Sequence, residues 1–266
     1  MLMLNSIARQ NHEFMKLLSQ SSNIRIPSTF DVHIPSVVDD ARRTPHTPCN
    51  IYVVNQTTSQ LLEQYSVEYG NSIGIMNMAN SITPGGGYLE SCSAQEEELC
   101  RASPVLYASL EQHARHGGYP FQWSEHIKVT PNVKFHRSDR TRQFAFYRTP
   151  LECTVISCAG PDLRNRQQLI SYLHHPQQVY KDINRVVQTV LTVRPQIKVM
   201  ILGALGCGAF APPHSLSTQY RIEVAKQFAS AINTSKHQHS VICLGIYCRP
   251  EQTDNFDIFK RVILPR

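Results

Sequence analysis

Apolar positions follow two periods along the chain. Leu4, Ile7, Phe14, Leu17 and Leu18 form a loose helical stripe, which predicts a helix over residues 3–19. Residues 23–48, with Pro27, Pro35, Pro45 and Pro48, read as an irregular arm. From Cys49 onward the pattern changes. IYVVN (51–55), IGIMNM (73–78), CTVISC (153–158), VMILGAL (199–205) and VICLGIY (241–247) are short, near-continuous apolar runs and read as strands. Helical stretches fall between them, over residues 57–68, 93–110, 178–193 and 216–232. A short helix is expected at 255–262, and 129–146 is ambiguous but hairpin-like. Strands that are apolar on both faces and alternate with helices predict an α/β sheet covered on both sides. The expected organisation is an N-terminal helix and accessory segment (1–48) followed by one compact domain (49–266).

Composition narrows the class. Of 266 residues, 41% are apolar and 17% charged, too few charges for a disordered chain. The longest stretch without Asp, Glu, Lys or Arg, 199–220, is interrupted by glycines, prolines and polar residues and does not suit a bilayer. Asn5 and Arg9 interrupt the apolar start before a signal sequence could form. The expectation is therefore an intracellular protein, cytoplasmic or nuclear, with no membrane partner. Eight cysteines lie scattered, without CxxC or zinc-ligand spacing, and read as buried reduced thiols; no metal and no cofactor are expected. The net charge of +6 favours anionic partners without implying direct nucleic-acid binding. The oligomeric state is not legible.

Candidate chemistry concentrates in MNMANSITPGGGYLESCSAQEEELCRASPVLYASL, residues 76–110. A strand end leads into Asn80, Pro84 and the triplet Gly85, Gly86 and Gly87, where backbone N–H groups can approach a ligand with no Cβ in the way. Ser93-x-x-Glu96 reads as a capping box and Ser103-Pro104 as the start of a second helical piece. Glu96 is accounted for by the box and Glu98 by a solvated face, whereas Glu97 has no structural excuse. Successive helical residues point about 100° apart, so Glu96 and Glu97 serve different tasks.

A second glycine loop, Gly206, Cys207, Gly208, Ala209 and Phe210, follows a buried strand and precedes a helix near Ser215, as a phosphate-cradling turn would. Tight packing explains it equally well. Leu205 and Ala209 stand where a nucleophile elbow needs glycine, so Cys207 is not read as a reactive thiol. Phe210 is read first as a core aromatic. HRSDRTR (136–142), Arg164 and Arg166 are basic; they read as a solvated stretch, or as an attractor of a polyanion.

Taken together, MNMAN, PGGG, QEE at a spacing of seven residues, LCRAS, PLECTVISCAGPDLR and LGALGCGAF resemble the microbial type of poly(ADP-ribose) glycohydrolase, a macrodomain relative. The resemblance implies a three-layer α/β/α sandwich with a mixed sheet, here with an N-terminal helical extension. It implies hydrolysis of ribosyl glycosidic bonds in ADP-ribose polymer, or on ADP-ribosylated proteins. By resemblance Glu97 is the catalytic acid, Glu96 binds ribose hydroxyls, and Gln95 completes the signature as a substrate contact. Asn80 would contact the distal ribose, the triple glycine would flank ribose and diphosphate, and residues 206–210 would form the diphosphate loop with Phe210 orienting the ribose. Gln56 falls near an adenine-contacting position. Departures are Asn80 and Thr83 where the family often has Ser and Asn, Glu90-Ser91-Cys92 where a glycine is common, and Ala211-Pro212-Pro213-His214 where Gly-Asn is usual.

Most glycosidases place two carboxylates roughly 5–9 Å apart on either side of the bond. Neighbouring Glu96 and Glu97 cannot straddle it, so one acid/base carboxylate is expected, with the substrate diphosphate steadying the cation. The helix dipole lowers the pKa of such an acid, whereas burial, the Glu96 charge and the diphosphate raise it; the raising influences are expected to win. The competing functions are a mono-ADP-ribosyl-protein hydrolase and a non-catalytic ADP-ribose reader. The absence of a P-loop lysine and of an early GxGxxG unit disfavours a kinase or a dinucleotide oxidoreductase.

Overall fold

Strand β3 (Ile73–Met78) shows why the chain layers as it does. Ile73 and Ile75 point into one apolar cluster and Met76 into another, because successive strand residues face opposite sides of a sheet. The computed structural model describes residues 2–20, 25–36 and 48–264. Among these, seven strands form one mixed sheet in the order β1-β4-β5-β3-β6-β7-β2. The strands are β1 (Phe30–His33), β2 (Asn50–Val54), β3, β4 (His126–Arg137), β5 (Phe146–Cys158), β6 (Val199–Leu202) and β7 (Val241–Gly245). β5, β3, β6, β7 and β2 run parallel, while β1 and β5 pair with β4 antiparallel.

One face is covered by α1 (Leu2–Gln20), α2 (Thr58–Tyr69), α3 (Gln95–Ala102) and α4 (Pro104–His113), through Ala8, Leu61, Leu62, Leu99 and Leu106. The other is covered by α5 (Arg166–His174), α6 (Pro176–Thr192), α7 (His214–Ser235) and α8 (Asp254–Ile263), through Val187, Val190, Phe228 and Phe259. This is a three-layer α/β/α sandwich with a helical N-terminus.

Several expectations are corrected. The segment 23–48 is not irregular throughout: residues 30–33 are strand β1, with Phe30 opposite Val129 and Asp31 opposite Lys128. Lys128 is fully buried, and its ammonium is held 2.6 Å from Asp31 and over the Phe121 ring, which pins this edge strand in place. Residues 23, 24 and 37–47 lie outside the described residues. The ambiguous 129–146 stretch belongs to the β4–β5 hairpin. Its pattern is blurred by a register shift between Thr130 and Val133, where Asn132 takes φ 57°. Helix α5 had no strong apolar stripe and was not expected. Cysteines 100, 153, 158, 207 and 243 are buried as expected, but Cys92 is exposed and Cys49 and Cys248 are half-buried. No helix among the described residues is long and apolar enough to cross a membrane.

Candidate active site

The parallel strands bring four loops to one sheet edge, beyond the carboxyl ends of β5, β3, β6 and β7, where open α/β sheets hold ligands. The loop after β3 carries the triple glycine and leads into α3. Its helix does not start as the sequence suggested. The N-cap is Ala94, without a side-chain cap, and no Ser93–Glu96 box forms. The Glu96 carboxylate is directed instead toward the β3 exit. Its Oε2 accepts from the Asn80 amide at 2.7 Å and its Oε1 from Asn77 Nδ2 at 3.4 Å.

Gln95 is the bracket that seats the helix. Its Oε1 accepts from the Met78 amide at 2.7 Å, and its Nε2 donates to Met76 O and to Thr58 Oγ1. Both amide hydrogens are thus spent within the fold, so the substrate contact expected of Gln95 gives way to a bracing role. Asn80 Oδ1 caps the backbone of Ile82 and Thr83, and its Nδ2 makes no hydrogen bond among the described residues.

Glu97 is 7% exposed. Its Oε1 accepts from the Gly87 amide at 2.9 Å, and its Oε2 is buried with no partner. The glycines explain how the loop comes so close. Gly86 has φ 57°, and a Cβ there would collide with the Glu97 carboxylate and crowd Glu96. A Cβ on Gly85 would strike the Tyr107 ring. The triplet thus admits the two carboxyls to the backbone of the loop.

Burial pushes the Glu96 carboxyl up to about 8, outweighing the hydrogen bonds from Asn80 and Asn77 that favour its charged form; the charge of Glu97 adds to the rise. Near neutrality Glu96 is therefore mostly a neutral acid, able to donate to a hydroxyl oxygen. Glu98 is not a solvated face residue: it is half-buried and pairs with Arg140 at 2.5 Å.

The loop after β6 lies against the loop after β5. A Cβ on Gly160 would sit 3.1 Å from Gly206 Cα, and the Leu163 amide donates to Phe210 O at 3.0 Å. Gly206 takes φ 77° with Tyr220 Oη beneath it. Gly208 and Ala209 are exposed, and their amide hydrogens have no partner among the described residues. Burial pushes the Cys207 thiol up to about 12, so it is inert at neutral pH.

Phe210 belongs to neither core cluster. It is half-buried, with the Arg164 guanidinium 4.3 Å from its ring centroid and Arg164 anchored on Asp162 at 2.9 Å. The core reading of Phe210 is therefore replaced by that of a platform at the loop mouth. The 136–142 stretch is buried up to Asp139 and exposed at Thr141 and Arg142, and its arginines are paired or stacked. Arg137 is buried and stacks 3.8 Å from the Phe146 ring centroid, Arg140 pairs with Glu98, and Arg142 pairs with Glu63.

Two site features escaped sequence reasoning. Asn77, fully buried on β3, holds both Glu96 and Ser157 Oγ; a polar residue inside the apolar run IGIMNM was its only signal. Tyr247, beyond β7, is 58% exposed, and the backbone on either side of it is tied to the end of β2. Ile246 N binds Val54 O, while Asn55 bonds reciprocally with the Cys248 backbone, donating to its carbonyl and accepting from its amide. Gln56 lies at the same edge, half-buried, and its side chain makes no hydrogen bond among the described residues. Among the described residues no three His, Cys, Asp or Glu side chains group as a metal site requires.

Residues 9–136 match the family model described as microbial-type PARG, catalytic domain, where PARG is poly(ADP-ribose) glycohydrolase. The chain resembles the microbial-type glycohydrolases, as its motifs implied. The match spans just under half of the chain and includes the triple glycine and Gln95-Glu96-Glu97. No curated protein matches. Among solved structures, a poly(ADP-ribose) glycohydrolase from Thermomonospora curvata is 19% identical with TM-score 0.72, covering 97% of this chain and 98% of that one. A second structure of the enzyme from that organism, bound to the inhibitor ADP-HPD, is 22% identical with TM-score 0.66 over 80% of this chain and 78% of that one. The enzyme from Deinococcus radiodurans in complex with ADP-ribose is 21% identical with TM-score 0.66, covering 84% and 86% of the two chains. At these identities the likeness to the glycohydrolases is one of fold.

Proposed function

We propose that this chain hydrolyses the ribosyl glycosidic bonds of poly(ADP-ribose) and releases ADP-ribose. One observation carries the reading: a buried carboxyl, Glu97, is fixed through one oxygen by the Gly87 amide while its other oxygen faces no protein partner. A reader of ADP-ribose needs no such acid. In the proposed reaction Glu97 Oε2 gives its proton to the leaving ribose oxygen as the anomeric C–O bond breaks. Water then adds to the anomeric carbon, and its proton returns to Glu97. Neutral Glu96 donates to a ribose hydroxyl, and Asn80 Nδ2 supplies a further donor.

The free amides of Gly208 and Ala209 receive the diphosphate, and Phe210 backs the ribose. Gln56 and Tyr247 lie where the nucleotide end would rest. No carboxylate is needed on the opposite side of the bond, since the bound diphosphate steadies the developing positive charge. The domain division proposed here keeps residues 49–266 as the catalytic unit, with the N-terminal segment packed onto it.

Labelled poly(ADP-ribose) incubated with wild type and with Glu97→Gln tests the reading. Wild type should release ADP-ribose, and the variant should bind ADP-ribose without turnover. Equal turnover by both would refute the role of Glu97. Release from mono-ADP-ribosylated protein alone, with polymer untouched, would shift the substrate to the mono-modified class.

A further inference from the structure

Glu97 depends on a single amide, so whatever fixes Gly87 fixes the acid. Gly87 lies in a loop that is not part of any helix or strand, and its neighbour Tyr88 is 2% exposed. Besides the turn bond from its amide to Gly85 O at 3.1 Å and the Arg101 guanidinium over its ring, three connections hold Tyr88. Its ring packs on Tyr107 at 4.5 Å between centroids. Its carbonyl accepts from Arg101 Nη2 at 3.2 Å, and the same nitrogen reaches Glu90 O at 3.3 Å. Its hydroxyl accepts from Asn11 Nδ2 at 3.2 Å.

Asn11 comes from helix α1, far away in sequence, and is 1% exposed. Its Nδ2 also donates to Arg101 O at 2.9 Å, and its Oδ1 accepts from Arg137 Nε at 2.9 Å. Arg137 is itself anchored to Phe144 O, to Gln10 Oε1 and against the Phe146 ring. Asn11, Tyr88 and Arg101 therefore close a triangle of hydrogen bonds inside the protein, and both hydrogens of the Asn11 amide are used in it. An alkyl side chain at this position would leave the Tyr88 hydroxyl and the Arg101 carbonyl without partners. Buried polar groups in that state are costly.

We propose that Asn11 is a positioning residue for the reaction: through Tyr88 it holds Gly87 where the Gly87 amide binds Glu97. The proposal rests on the reading of Glu97 as the acid, and it assigns the N-terminal helix a part in assembling the site. The helix touches no reacting atom; it acts through the loop.

Two variants separate the contributions. Asn11→Leu, of similar size, removes the donor to Tyr88 and Arg101 together with the acceptor for Arg137. Tyr88→Phe removes only the hydroxyl and keeps the ring on Tyr107. With 15N-glycine labelling, the 12 glycines give a sparse amide spectrum in which Gly87 reports its bond to Glu97, while Gly70 and Gly117, with open space around them, report the remaining fold.

In both variants the Gly87 amide proton should move upfield while Gly70 and Gly117 stay in place. Turnover of poly(ADP-ribose) should fall about tenfold with KM unchanged, since a misplaced catalytic group costs rate more than binding. A Gly87 signal that does not move in either variant overturns the proposal. So does full turnover in both. If Asn11→Leu loses its dispersed spectrum, Tyr88→Phe decides. A wild-type protein without glycohydrolase activity would defeat the reading of Glu97, and the Gly87 signal would still decide whether Asn11 sets the loop.

Discussion

The Gly87 amide donates to Glu97 Oε1 at 2.9 Å, so the glycine loop and the first turn of α3 meet through the proposed acid itself. Gly86, one step earlier, lies so close to both carboxyls that no side chain fits there. Gly86→Ala should therefore cost turnover as well as stability. A strained positive φ costs about 1–3 kcal/mol, whereas displacing the acid should lower kcat by on the order of a hundredfold. Steady-state kinetics alongside thermal unfolding checks both; an unchanged kcat would mean that the loop does not set the geometry of the acid.

Glu96 makes stability depend on pH. Its folded pKa, about 8, lies above the ordinary value of 4.5, so the folded state keeps a proton that the unfolded chain releases. The stabilisation is present in full below about pH 4.5 and is lost as pH rises through 8. Its size is on the order of a few kcal/mol. Glu96→Gln should flatten this loss between pH 4.5 and 8 in denaturant unfolding. ADP-ribose affinity of the wild type should fall as pH rises through 8, because an ionised Glu96 brings negative charge beside an anionic ligand. Parallel pH curves for the two proteins would remove Glu96 as the cause.

Phe210 and Tyr247 are the aromatic surfaces at the carboxyl ends of β6 and β7. Replacing either by Ala should weaken ADP-ribose binding by roughly threefold to tenfold, the range for one aromatic contact of about 0.5–1.5 kcal/mol. Calorimetry with ADP-ribose and with ribose 5-phosphate distinguishes them. Loss at Tyr247 should appear only with the nucleotide, whereas loss at Phe210 should appear with both.

Arg142 pairs with Glu63 and lies near Tyr147 rather than standing free. Arg142→Gln should leave polymer affinity within twofold of wild type at low salt in a filter-binding titration. Exposed ion pairs of this kind contribute only about 0–1 kcal/mol, so folding should be barely affected. A large drop in affinity would restore the basic stretch as a polymer-binding surface.

Most of the architecture was legible because the strands are nearly all apolar and glycines and prolines mark their ends. Residues 73–78 were read to the residue, for β3 is buried on both faces and its limits coincide with changes in polarity. The edge strand β1 was hidden: its four residues include exposed Phe30 and Asp31, and only the distant partner β4 makes them a strand. In the site, the motif located the carboxyls but misjudged their partners. Ser93-x-x-Glu96 has the local spacing of a capping box, yet the Asn80 amide competes for the same carboxylate and wins. Charge along 136–142 was plain, but its neutralisation by Glu63 and Glu98 depends on the hairpin folding back over α2 and α3. Phe210 looked like core because sequence does not reveal which loop residues end beside an arginine.

The proposed proton donor rides on the passage from β3 to α3, whereas the surfaces suited to a nucleotide stand on separate excursions after β6 and β7. The chemistry and the choice of what is gripped are therefore modular. Selection could retool the outer excursions for a new leaving group, residue by residue, and inherit the acid step unchanged.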